Sequence, residues 1–271
     1  GLKIATSFSM KGIVPKMISH YRRSQPTIQS LRMVGDRRQR FLNTARFSDH
    51  IVLSAMTSLS LKKGILNHAS NLQRTHQFLA MGKTALSAFE TYLSCCDRPD
   101  LIKKALIIYK YGQTISQSLL SIIRQNPSFQ LMAGDHPVPE NLSRQAQEAL
   151  IEFVQTNDNP LTAIVTGGAS SLTNWHPQLA AIRSTLLSSG SANIGVMNMF
   201  TRQFGQVAGG GLLSECRQPD NVEVLTVSDV PGDSLQFATL GSGPFCSDPT
   251  HNVIPSIIPD LDAFIHKPMK Q

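Results

Sequence analysis

Between residues 75 and 228 the chain alternates short apolar runs with segments of helical periodicity. That alternation restricts it to an α/β fold: a Rossmann-like, mostly parallel sheet with helices on both faces. Thr75 to Met81 reads as a strand entering a turn at Gly82-Lys83, and Thr84 to Cys95 places Leu86, Phe89 and Leu93 at helical spacing. Leu101 to Tyr111 is mixed, with Ala105 to Tyr109 suited to a central strand, while Thr114 to Gln125 has helical intervals. Phe129 to Ala133 predicts a short strand ending near His136, and Leu142 to Gln155 an amphipathic helix. Leu161 to Val165 reads as a strand, and Pro177 to Ser188 as a helix with Leu179, Ile182, Leu186 and Leu187 on its apolar side. Val222, Val224, Leu225 and Val227 form a further buried strand, and Asp49 to Ser60 is a candidate helix capped by Asp49 or Ser48.

Chemistry concentrates where that last strand ends. Val227-Ser228-Asp229-Val230-Pro231-Gly232-Asp233, followed by Gly241-Ser242-Gly243-Pro244, puts two carboxylates and several glycines where an α/β protein builds a phosphate site. Asp229 and Asp233 are expected at the strand's carboxyl end, as candidates for holding a metal-bound phosphate. The plainer alternative is a Pro-Gly turn with a helix-capping Asp.

Residues 228–250, SDVPGDSLQFATLGSGPFCSDPT, resemble the SDVPGDD...ASGPT...DPT signature of the type 2 glycerate kinases, the family with a C-terminal MOFRL domain. In the family's order, Gly82-Lys83 resembles its early Gly-Lys, His136-Pro137-Val138-Pro139 its GHPVP, and residues 166–172 (TGGASSL) its SGGGSAL. Residues 198–212 (NMFTRQFGQVAGGGL) are similar to its N-x-VRKHLSxIKGGxL segment. The resemblance covers residues 75 to 255 and implies ATP and magnesium as cofactors and D-glycerate as substrate.

Phosphoryl transfer needs cationic donors, carboxylates for magnesium and alignment of the attacking hydroxyl. Gly82, Lys83, Gly167, Gly168, Ser170, Gly232, Gly241, Ser242 and Gly243 are the candidate nucleotide and phosphate contacts. Lys83, His136 and Arg202 are the catalytic candidates of an active enzyme, with Asp229 and Asp233 on magnesium. Each has a bland counterpart: an exposed lysine, a tight double-glycine turn with Ala169 replacing the family's third Gly, a satisfied turn histidine. Trp175 and His176 are assigned no chemistry.

Departures from the family pattern fall on charge. Thr201, Gln203 and Ala208 stand where its Arg, His and Lys are expected, with Arg202 remaining cationic, and Ser234 replaces the second Asp of GDD. Loss of one preorganised donor slows chemistry by about a hundredfold or more. The family's second domain is expected to be absent after residue 260, so that a partner chain would have to replace it.

With 271 residues and 41% hydrophobic content, the chain can bury a sizeable core. Its apolar runs are far shorter than the roughly 20 residues that span a bilayer, and Cys95, Cys96, Cys216 and Cys246 lack the spacing of a zinc site. The net charge of +7 is uneven: Lys3, Lys11, Lys16, Arg22, Arg23 and Arg32 all precede the first acidic residue, Asp36, and Arg37, Arg38, Arg40 and Arg46 follow. Such an arm suits a mitochondrial transit region or a contact to RNA, and the initial Gly1 suggests a processed or partial chain. The expected organisation is a basic irregular or helical extension (1–48), a glycerate-kinase-like α/β domain (49–260) and a tail (261–271). Two functions follow as expectations. The first is a non-catalytic subunit contacting protein and RNA in a mitochondrial matrix assembly such as the mitochondrial ribosome. The second is an active ATP-dependent glycerate kinase or a nucleotide-binding regulator.

Overall fold

Apolar runs too short for helices become strands once their backbone groups pair with neighbours, and among the described residues every pairing is parallel. The computed structural model describes residues 3–9, 74–190, 194–228 and 240–246. The candidate helix at 49–60, most of the basic arm, Asp229, Gly232, Asp233 and the tail lie outside the described residues. Among those described, the strands are β1 (Lys3–Ser9), β2 (His76–Met81), β3 (Ile102–Lys110), β4 (Phe129–Gly134), β5 (Leu161–Thr166) and β6 (Val222–Ser228), in spatial order β1-β6-β5-β2-β3-β4.

Parallel strands need crossovers, and helices supply them. Among the described residues the helices are α1 (Ala85–Cys95), α2 (Gln117–Gln125), α3 (Asn141–Gln155), α4 (Ala169–Thr173), α5 (Pro177–Ser188), α6 (Ile194–Phe204) and α7 (Gly211–Glu215). Successive strand residues point to opposite sheet faces, and the two cores divide accordingly. Phe78 and Ala80 of β2, with Ala105 and Ile107 of β3, pack with Phe89 and Tyr92 of α1 and Leu119 of α2. Leu79, Met81, Leu106 and Ile108 face the other way, against Leu150, Phe153 and Val154 of α3 and Leu172 of α4. Strands β2 and β5 are buried along their whole length, as sheet strands covered on both faces must be.

The chain winds from β2 outward to β3 and β4, then crosses back through α3 to β5 on the other side of β2. Strand order therefore reverses between β2 and β5, and a crevice opens at their carboxyl ends. Register puts Met81 opposite Val165, so the β2–α1 turn meets the β5–α4 turn there.

Three local differences from the sequence reading have physical reasons. Lys3–Ser9 is not irregular or helical but pairs in parallel with β6, from Lys3 opposite Glu223 to Ser9 opposite Ser228; sheet pairing outweighs a weak local pattern. Helix α5 buries Arg183 with Leu179, Ile182 and Leu186 and leaves Leu187 39% exposed, because residue 183 lies one turn from 179 on the inner stripe. Helices α4 and α7 each follow a left-handed glycine, Gly168 and Gly210, and are too short to show a period.

The inner packing fixes an expectation for stability. Phe78 is fully buried, its ring centroid 4.5 Å from that of Tyr92 and 5.0 Å from that of Phe89. Phe78→Ala should cost about 3–5 kcal/mol in urea unfolding, whereas replacing the exposed Tyr111 by Ala should stay within about 0.5 kcal/mol.

Candidate functional site

At the β2–β5 crevice two glycines allow close approaches, Gly82 to the Thr166 backbone and Gly168 to the Lys83 side chain. Gly82 has φ 128°, and a Cβ there would collide with the hydroxyl and carbonyl oxygens of Thr166. The turns are then stitched together: Gly82 N–H donates to Ile108 O at 3.1 Å, Lys83 N–H to Gly167 O at 2.8 Å and Thr84 N–H to Thr166 Oγ1 at 3.3 Å. The Lys83 carbonyl accepts from Gln113 Nε2 at 2.6 Å, while Gln113 Oε1 accepts the Lys110 N–H at 3.1 Å.

Gly168 (φ 86°) makes the second close approach. A Cβ built on it would stand 2.8 Å from both Cγ and Cε of Lys83 and 3.3 Å from Cδ2 of His136. The half-buried Lys83 side chain thus lies across Gly168 with the His136 ring beside it, and these three sequence candidates do meet.

Histidine 136 arrives from the end of β4. Its neighbour Asp135 is committed elsewhere, its carboxylate accepting the N–H groups of Leu142 at 2.9 Å and Ser143 at 3.2 Å at the start of α3. Burial, followed by the charges of Lys83, Lys110 and Arg183, pushes the His136 pKa down to about 4, so the ring is neutral near pH 7.

Arg183 is the residue that sequence reasoning passed over. It is 4% exposed, and its guanidinium donates through Nη1 to Pro137 O at 3.3 Å and through Nη2 to Ser170 Oγ at 3.2 Å and Thr201 Oγ1 at 2.6 Å. Nε is buried without a partner among the described residues, and burial lowers the group's pKa to about 10. The available signal was its place at the inner-facing spacing with Leu179, Ile182 and Leu186.

The remaining candidates sit elsewhere in the architecture. Gly241, Ser242 and Gly243 run beneath α4. A Cβ on Gly241 would lie 3.1 Å from Ala169 Cβ, and the buried Ser242 hydroxyl donates to Asn198 Oδ1 at 2.8 Å. The backbone of this segment accepts from Gly209 at 2.9 Å and Gly210 at 2.7 Å. Arg202 is in the last turn of α6, where burial lowers its pKa and Cys246 acts in the opposite sense. Buried Asn174 joins α4 to residues 207 and 208, giving Nδ2–H to Ser170 O at 3.1 Å and accepting both N–H groups at 3.2 and 3.0 Å.

Electrostatically, the crevice is a cationic cradle. Among the described residues ion pairs join Arg98 to Asp100 and Arg217 to Asp158, both at the surface, and none reaches Lys83, Lys110 or Arg183. No group of three His, Cys, Asp or Glu side chains suited to a metal occurs among the described residues. No helix among them is long and apolar enough to cross a membrane. Buried or partly buried cations without a carboxylate favour an anion as their partner. Lysine and hydroxyl donors such as Lys83 and Ser170 suit phosphate or carboxylate oxygens, whereas the magnesium candidates Asp229 and Asp233 lie outside the described residues.

Residues 45–260 match the domain of unknown function DUF4147. A putative hydroxypyruvate reductase of Agrobacterium vitis is 29% identical over 160 residues, 56% of this chain and 34% of the relative. The glycerate 2-kinase of Sulfurisphaera tokodaii is 29% identical over 150 residues, 54% of this chain and 34% of that protein. The chain thus spans about a third of the length of the curated relatives it matches. Among solved structures, the glycerate kinase of Thermotoga maritima superposes with TM-score 0.51 at 21% identity, over 73% of this chain and 47% of that one, showing the same fold.

The depressed His136 pKa carries two expectations. A histidine whose folded pKa lies below its free value gives stability that is complete above about pH 6.5 and declines as pH falls toward 4. An anion bound among Lys83, Lys110 and Arg183 should offset their charge and raise the His136 value, read by NMR titration of the ring proton with and without inorganic phosphate. An unmoved pKa at saturating phosphate would contradict binding in this cradle.

Proposed function

The chain belongs to the DUF4147 family, the N-terminal domain of the glycerate kinases, and we propose that its β2–β5 cradle binds phosphate oxygens in ATP-dependent phosphorylation of D-glycerate. One observation carries the reading: Lys83 lies across Gly168 beside a neutral His136, in a cationic group that no described carboxylate neutralises. Bound ATP would supply the phosphoryl group. Lys83 and the Ser170 hydroxyl orient anionic oxygens and counter the charge that builds on them, which is most of what phosphoryl transfer asks of a protein. His136, neutral near pH 7, can accept a hydrogen bond from a substrate hydroxyl or take its proton. Asp229 and Asp233 are the residues we assign to magnesium, and a further domain or a partner chain would complete the cleft.

A second reading is favoured by α6 and the segment after it. Thr201 is fully buried and Ala208 is buried, so two positions expected to be basic send no cation toward the cradle. On this reading the domain keeps the fold and a remnant nucleotide or anion site but not turnover. It serves instead as a subunit contacting protein and RNA through its basic arm, in a mitochondrial matrix assembly such as the mitochondrial ribosome.

Calorimetry with ATP-magnesium and with D-glycerate separates the two. The kinase reading expects saturable binding of both, weakened roughly ten- to a hundredfold by Lys83→Ala, the range for a lost hydrogen bond to a charged group. Binding of neither, together with cosedimentation of the chain with an RNA-containing particle, would replace it with the second reading.

A further inference from the structure

Arg183 presents an unusual arrangement: a 4% exposed guanidinium with three neutral oxygen acceptors and no carboxylate among the described residues. A buried cation without a paired anion is costly, so the residues around it show what the charge does.

Hydrogen-bond direction decides the point. Arginine only donates, so both hydroxyls facing Nη2 must accept. Thr201 spends its own proton on Met197 O at 2.6 Å, which leaves its oxygen free to accept from Nη2 at 2.6 Å. Ser170 Oγ accepts from the same nitrogen at 3.2 Å, and its proton has no acceptor among the described residues. Arg183 thereby leaves the Ser170 hydroxyl as a donor, in the first turn of α4, two residues past the Gly168 over which the Lys83 side chain lies. Its charge also reaches the site, since it is one of the cations that depress His136.

We infer that Arg183 is a positioning residue of the anion cradle. It sets the Ser170 hydroxyl as a donor to a small ligand carrying a phosphate or carboxylate group, and it supplies from α5 positive charge that Thr201 of α6 does not. Thr201 then acts as the second anchor of the guanidinium, buried and hydroxylated because Arg183 needs an acceptor there. The inference rests on the proposed anion cradle, but it specifies the residue and direction of a hydrogen bond which that reading leaves open.

The test is a double-mutant cycle on the full chain: calorimetric Kd values for inorganic phosphate and, separately, D-glycerate in wild type, R183Q, S170A and R183Q/S170A. Thermal unfolding and the His136 pKa are recorded for each. R183Q and S170A should each weaken binding roughly ten- to a hundredfold, and the double variant should be no weaker than the weaker single, because Arg183 acts through Ser170. R183Q should also raise the His136 pKa, which loss of a merely structural contact would not do. Should R183Q not fold, R183K and Thr201→Val take its place, and each should weaken binding in a chain that still unfolds cooperatively. Unchanged Kd values, or additive losses in the cycle, overturn the role of Arg183 and leave the cradle standing. Failure of wild type to bind either anion overturns both.

Discussion

The approach of two turns at the carboxyl edge of the sheet organises this domain. Gly82 leaves no room for a side chain against Thr166, and Lys83 N–H closes onto Gly167 O at 2.8 Å. That contact holds the ends of β2 and β5 together where the strand order reverses, and it sends Lys83 across the left-handed Gly168. A Cβ at Gly82 would meet the Thr166 backbone and force the turns apart, whereas one at Gly168 would displace the Lys83 side chain that lies over it. The helices behind it follow from the same placement. Helix α4 starts at Gly168, Asn174 ties its end to residues 207 and 208, and Gly241 packs under Ala169.

Around that backbone the charge is one-sided. Asp135, the nearest carboxylate in sequence to His136, caps α3. Lys83, Lys110 and Arg183 are left to depress the histidine and to attract an anion. Two depths of burial matter here. Lys83 is half-buried and can reach a ligand directly, whereas Arg183 is enclosed and works through the hydroxyl it orients. The positions on α6 and beyond that the sequence resemblance marks as basic hold a buried threonine, a glutamine and a buried alanine, and the positive charge beside His136 comes from Lys83, Lys110 and Arg183.

Much of the fold was legible because parallel sheets advertise themselves. Runs such as Ala105 to Tyr109 and Leu161 to Val165 are continuous and apolar when both faces are covered, and Pro177 marked the start of α5. Gly82, Lys83, His136, Gly168 and Ser170 were found through motifs; Lys83 and His136 meet over Gly168, while Ser170 bonds to Arg183. Arg183 was missed because an arginine amid apolar residues counts against burial in any pattern read one residue at a time; only three-dimensional contact with Ser170 and Thr201 explains it. Ser242 illustrates the converse, a motif residue whose hydroxyl is spent on Asn198. The strand at Lys3–Ser9 was hidden by its weak local pattern, since an edge strand is specified largely by the partner it pairs with.

The most direct measurement is a crystal structure of the chain soaked in tungstate, a phosphate-shaped anion whose anomalous signal locates it without ambiguity. If the cradle takes an anion, a single strong peak is expected within hydrogen-bond distance of Lys83 Nζ and Ser170 Oγ, over Gly168. A cradle left empty while tungstate binds only on the basic surface would contradict it.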